Sequence, residues 1–172
     1  EIIVYKGGDP PKILVYQQDG TLLWERGIGS IAMAGGNLHI PLVGDLNNDG
    51  NKEIIAFNYG NAQPGKNFSQ IFALDSKGSL MWFTNISSAL RVNMLIADLK
   101  NDGNKEIVIK ESDAWERKMI ILNSQGWIIS QWDINKRSWS GSIESSPAAG
   151  NFDNDSDLEI VIANPSEKAG GI

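Results

Sequence analysis

Three stretches of this chain place oxygen-bearing side chains at alternate positions of a nine-residue segment: DLNNDGNKE at 45–53, DLKNDGNKE at 98–106 and NFDNDSDLE at 151–159. A hard cation such as Ca²⁺ takes six to eight oxygens at about 2.3–2.6 Å, and a tightly curled loop can supply them from side chains at positions 1, 3 and 5 and a main-chain carbonyl at position 7. In the first segment that set is Asp45, Asn47, Asp49, the carbonyl of Asn51, and Glu53 at position 9. In the third it is Asn151, Asp153, Asp155, the carbonyl of Asp157, and Glu159, with Ser156 where the first has Gly50. Glycine at the sixth position eases a sharp turn, so Ser156 is expected to strain the third loop modestly. The second segment keeps Asp98, Asp102, the carbonyl of Asn104, and Glu106, but Lys100 stands at position 3. An ammonium has no lone pair to give and repels a cation, so this loop is expected to be the weakest site or empty.

Asn, Asp and Gly also make good turns without any metal. Charge argues for more than that. Ten of the 21 acidic residues fall within these three windows, where they repel one another unless cations intervene. Three divalent ions would bring the formal charge from −6 to zero.

These segments recur with a period of 53 residues, Asp45, Asp98 and Asn151 standing at equivalent places. Each runs into a strand-like stretch rich in β-branched residues: EIIAFN at 53, EIVIKE at 106 and EIVIAN at 159, with a fourth copy, EIIVYK, at the chain start. A second recurring signature, at 13–28, 71–86 and 120–134, joins two apolar runs through a Gly-containing turn and reads as a hairpin. A unit is therefore four strands, exemplified by 39–46, 53–58, 69–75 and 79–86, and helical periodicity is absent. The expected fold is all-β: β-propeller blades, four-stranded antiparallel repeats of about 53 residues. The 172 residues make roughly three such blades, an incomplete ring, with units near 1–37, 38–90, 91–143 and 144–172 and no domain boundary between them. Closure would need further blades from a longer chain or another copy, and the start at Glu1 without a Met reads as a trimmed piece. The Trp of the fourth strand, Trp24 and Trp82, is replaced in the third copy by Ser130, with Trp132 two residues on.

The three Asp-rich segments resemble the calcium loops of FG-GAP repeats, also called VCBS repeats, found in integrin α-chain propellers and many secreted microbial proteins. The resemblance extends over nearly the whole chain. It implies a propeller with Ca²⁺ between the first two strands of a blade, a secreted or cell-surface location, and adhesion or carbohydrate-related roles. Lys100, Ser156 and Glu at position 9 depart from the family pattern.

Composition narrows the alternatives. With 15 basic against 21 acidic residues, scattered basic groups and no run of about 20 apolar residues, neither nucleic acid nor membrane insertion is expected. No cysteine and one histidine, His39, remove thiolate and poly-histidine chemistry. The connections opposite the Asp-rich loops, 27–37, 59–67, 111–118 and 135–146, together with Arg91, carry aromatic and Arg groups of the kind binding surfaces use: Tyr59, Arg91, Trp115, Arg117, Arg137 and Trp139. The leading expectation is an extracellular binding module for protein or glycan that does no chemistry itself. The alternatives are part of a calcium-dependent polysaccharide lyase, for which no acid/base pair can be assigned, and a quinoprotein-like propeller, hinted at by LDSKGSLMW at 74–82.

Overall fold

The computed structural model describes residues 1–7, 11–28, 41–63, 66–86, 91–112, 118–134 and 146–162, with the backbone alone at 59–63, 66–68, 91 and 112. The described residues are all-β, with no helix and hence none long and apolar enough to cross a membrane. They form four antiparallel sheets and no closed ring.

Sheet I is β1 (Ile2–Lys6), β2 (Lys12–Tyr16) and β3 (Leu22–Gly27), in that order. Sheet II is β4 (Leu42–Gly44), β5 (Glu53–Gln63), β6 (Lys66–Leu74) and β7 (Leu80–Ile86). Sheet III is β8 (Arg91–Ala97), β9 (Glu106–Ser112), β10 (Lys118–Leu122) and β11 (Ile128–Asp133), and sheet IV is β12 (Ala148–Gly150) with β13 (Glu159–Val161). Strands are neighbours in space in the order in which the chain makes them, the arrangement short turns allow. The four-strand unit is present in full in sheets II and III.

Each outer hairpin closes the same way. The amides of Gly20, Gly78 and Gly126 donate to the carbonyls of Gln17, Asp75 and Asn123 at 3.0, 3.0 and 2.9 Å. Asp75 Oδ1 also accepts from the amides of Lys77 and Ser79, and Asn123 Oδ1 from those of Gln125 and Trp127, so the side chain fixes its own turn. Directly after each turn the register slips by one residue: Val15 faces Trp24 while Tyr16 faces Leu22, and the same shift recurs at Ala73/Leu74 and Ile121/Leu122. Such a bulge leaves one residue unpaired and breaks the alternation of faces. That is why Leu22 and Leu23, Leu80 and Met81, and Ile128 and Ile129 are consecutive apolar pairs that are all exposed.

Two connections expected as loops are partly ladder. The β5–β6 pairing continues through Tyr59↔Ser69 to Gln63↔Lys66, and Arg91 lies in β8 opposite Ser112. A hairpin arm satisfies its own N–H and C=O groups without burying anything, so polar sequence can extend it, and apolar alternation gives no sign of where it stops.

Sheets pack face to face through residues one strand-step apart. Ile54, Ala56, Phe72 and Leu74 of sheet II meet Ile13, Val15 and Trp24 of sheet I. Their strand neighbours Ile55, Phe57, Ile71 and Ala73 point the other way and meet Ile107, Ile109, Ile120 and Leu122 of sheet III. Val108, Met119 and Ile121 then pack toward Ala149, Leu158 and Ile160 beside and within sheet IV. The central strands are thus buried on both faces, which explains near-continuous runs such as EIIAF and EIVI; each buried Ile, Leu or Phe contributes about 1.5–3 kcal/mol.

Candidate metal loops

The Asp-rich loops join β4 to β5, β8 to β9 and β12 to β13, between strands already held side by side, so each segment is a tight return and its side chains are forced together. One contact recurs in all three. The position-9 glutamate turns back along the strand pair and its Oε2 accepts the amide of position 2: Glu53 from Leu46 at 2.8 Å, Glu106 from Leu99 at 3.0 Å, Glu159 from Phe152 at 2.7 Å. A second recurs beside it: Asp49, Asp102 and Asp155 at position 5 accept the amides of Asn51, Asn104 and Asp157 at 2.8, 2.8 and 2.9 Å. The position-5 bond, first, and Asn47 Nδ2 at 3.1 Å hold the Asp49 carboxyl below the usual range. Burial, foremost, with Asp49 and Asp45 nearby, pushes Glu53 up, against the lowering effect of its bond from Leu46.

The first and second loops share one conformation. Asp45 receives the amides of Asp49 and Gly50 at 3.1 and 2.9 Å, and Asp98 those of Asp102 and Gly103 at 3.0 and 2.8 Å. Left-handed backbone at Asn48 (φ 59°), Gly50 (86°), Asn101 (52°) and Gly103 (88°) makes this possible, residues that tolerate it best. In the second loop the Lys100 ammonium lies 3.8 Å from Glu106 Oε1.

The third loop is wired differently. Asn151 cannot receive two amides with two oxygens; its Nδ2 donates instead to the carbonyl of Asp155 at 2.5 Å, while the Asp155 amide goes to Asp153 Oδ1 at 2.8 Å, as that of Asp49 goes to Asn47 Oδ1 at 3.2 Å in the first loop. Neither Asn154 nor Ser156 takes positive φ, so the strain expected of Ser156 does not arise: the loop has adopted another path. On that path Asp153, Asp155 and Glu159 bring carboxylate oxygens within 4.8 Å of one another, the one such group of three or more acidic, His or Cys side chains among the described residues. The carboxylates of the first and second loops do not converge to that extent.

The loops are also linked to one another. Lys105, at position 8 of the second loop, donates its amide to the carbonyl of Leu46 at 3.1 Å, and Leu158 at the same position of the third donates to Leu99 at 2.8 Å. Position 2 therefore ties its own glutamate to the following loop. Sequence reasoning passed over these residues because they act through the backbone; the repetition of an apolar residue at 46, 99 and 152 was their only mark.

Of the remaining candidates, Tyr59 and Arg91 lie at strand positions away from the Asp-rich ends of their sheets, while Trp115, Arg117, Arg137, Trp139 and His39 fall outside the described residues. A groove of about 200 Å³ between sheets I and II is lined by Arg26, Asn58, Gln70, Phe72 and Phe83. Its polar groups are engaged elsewhere: Arg26 with the carbonyl of Gly78, Asn58 with that of Ile28, and Gln70 with Asn85.

Fold and loops together define an all-β protein of successive antiparallel sheets with acidic returns. In comparisons with known proteins the chain matches no family model, no curated protein and no solved structure.

Proposed function

We propose that this chain is a calcium-stabilised β-propeller module of the FG-GAP type, which binds a protein or glycan outside the cell and performs no catalysis of its own. The observation that carries this reading is the convergence of Asp153, Asp155 and Glu159, three hard oxygen donors in one loop within 4.8 Å. Their chemistry suits Ca²⁺, which prefers carboxylates and tolerates irregular geometry, over Mg²⁺, which keeps its waters. Asp153, Asp155 and Glu159 would hold the ion, and the first loop, with Asp45, Asn47, Asp49 and Glu53, would hold a second after releasing the amides that Asp45 and Asp49 now accept. A bound ion would relieve the repulsion among these groups and fasten one strand pair. The face for a ligand is the end of the sheets carrying Tyr59 and Arg91, away from the ion loops.

Calcium titration by calorimetry, paired with thermal melts in EGTA and in millimolar calcium, tests the metal. Two bound ions and a higher melting temperature are expected, and a chain that binds no calcium at millimolar concentration sinks the reading. Glycan-array binding tests the ligand.

A further inference from the structure

The second loop has the same backbone path as the first but a lysine where the first has Asn47. Glu106 is buried, its side chain 4% exposed, and it divides its two oxygens: Oε2 takes the Leu99 amide and Oε1 faces the Lys100 ammonium at 3.8 Å. The ammonium arrives from solvent, with the Lys100 side chain 58% exposed, and faces the oxygen other than the one that takes the Leu99 amide. This loop is also the middle of the chain of backbone bonds, giving the Lys105 amide to Leu46 and receiving that of Leu158 at Leu99.

We propose that Lys100 is a built-in counter-ion: its ammonium does for loop 98–106 what a divalent ion does for its neighbours, so this loop is ordered without metal and serves as a fixed bridge between two metal-dependent ones. The inference rests on the calcium reading for its contrast with the other loops, but not for its own test. A covalently attached charge of +1 cannot be lost by dilution or chelation, so the centre of the array keeps its shape at any calcium level. The loop's carboxylates would be freed for an ion only by removing that charge.

Amide hydrogen exchange in EGTA, read at Leu99 by NMR, decides it, because the Leu99 amide is held by the glutamate that Lys100 faces. In the unmodified chain Leu99 is expected to exchange equally slowly with calcium and with EGTA. Lys100→Asn is expected to raise Leu99 exchange in EGTA by about three- to tenfold, to restore it with calcium, and to add one ion to the calorimetric count. Lys100→Arg, which keeps the charge, is expected to leave Leu99 protected. Unchanged Leu99 exchange in Lys100→Asn under EGTA overturns the inference even if the unmodified chain binds two ions. Faster exchange in that variant upholds it even if the unmodified chain binds none, the result that would sink the calcium reading instead.

Discussion

The indole of Trp82 in β7 lies on Gly126 in the β10–β11 turn, so closely that a methyl group there would fall 2.5 Å from Cε3. Its Nε1 donates to the carbonyl of Ser124 at 3.0 Å, and Thr84 donates to that of Gly126. Trp24 makes the same approach one sheet earlier, to Gly78 and to the carbonyl of Ser76 at 3.2 Å. β3 and β7 thus each clasp the turn of the next sheet, and Gly78 and Gly126 are there both for their φ and for the space they leave.

Gly126→Ala and Gly20→Ala separate those two reasons. Both residues have positive φ, +82° and +87°, but nothing lies within 4 Å of a side chain added at Gly20. The backbone alone is expected to cost about 1–2 kcal/mol at Gly20, and Gly126 about 1–3 kcal/mol more from the clash with Trp82. Urea denaturation of the two variants measures the difference; equal losses would mean that the indole does not seat on the turn.

Ile71, fully buried between sheets II and III, should lose about 2–5 kcal/mol as Ile71→Ala. Val43, 46% exposed, should change stability by less than about 0.5 kcal/mol as Val43→Ala. The same denaturation experiment checks both.

Calcium at a hundred times its dissociation constant should stabilise each loop it fills by about 2.7 kcal/mol. Asp155→Asn should remove most of the increment from the third loop, and Asp49→Ala should reduce it more than Asp102→Ala, since Lys100 already occupies the second loop. Melting temperatures with and without EGTA give the ranking; equal effects at 49 and 102 would contradict it.

Glu53 makes a pH prediction for the metal-free protein. Burial raises its folded pKa above 4.5, so its favourable contribution is present below the unfolded value and is lost as pH rises through the raised one. Glu53→Gln lacks that loss and can still accept the Leu46 amide. In EGTA the variant should therefore gain on the unmodified chain as pH rises from about 4 to 7, whereas in calcium at pH 7 the order should reverse. Stability against pH in the two buffers is the measurement, and parallel curves in EGTA would refute the account.

The strands, the three hairpin turns and the acidic returns were legible from sequence because each rests on local chemistry: alternation or continuity of β-branched residues, a short Gly-containing turn between two apolar runs, and alternating oxygens between two strands. Even Ser130 in the tryptophan place was readable, and it stands opposite Ile121 as Trp82 stands opposite Ala73. The bulges at Leu23, Met81 and Ile129 were not, because one extra residue in a ladder leaves composition unchanged. Nor was the ladder beyond Tyr59, where the backbone goes on pairing through polar sequence.

What only the tertiary structure decided lies between residues about fifty apart or depends on the path of a loop: the indoles of Trp24 and Trp82 on foreign turns, the Lys105 and Leu158 amides reaching back to the preceding loop, and the convergence of carboxylates in the third loop rather than the first. Sequence named oxygens in all three loops, with Lys100 the break in the pattern. Which of them meet is set by how many amides each position-1 side chain accepts and by whether the sixth residue enters left-handed backbone, and both belong to the folded path of the loop, which residue types alone do not give.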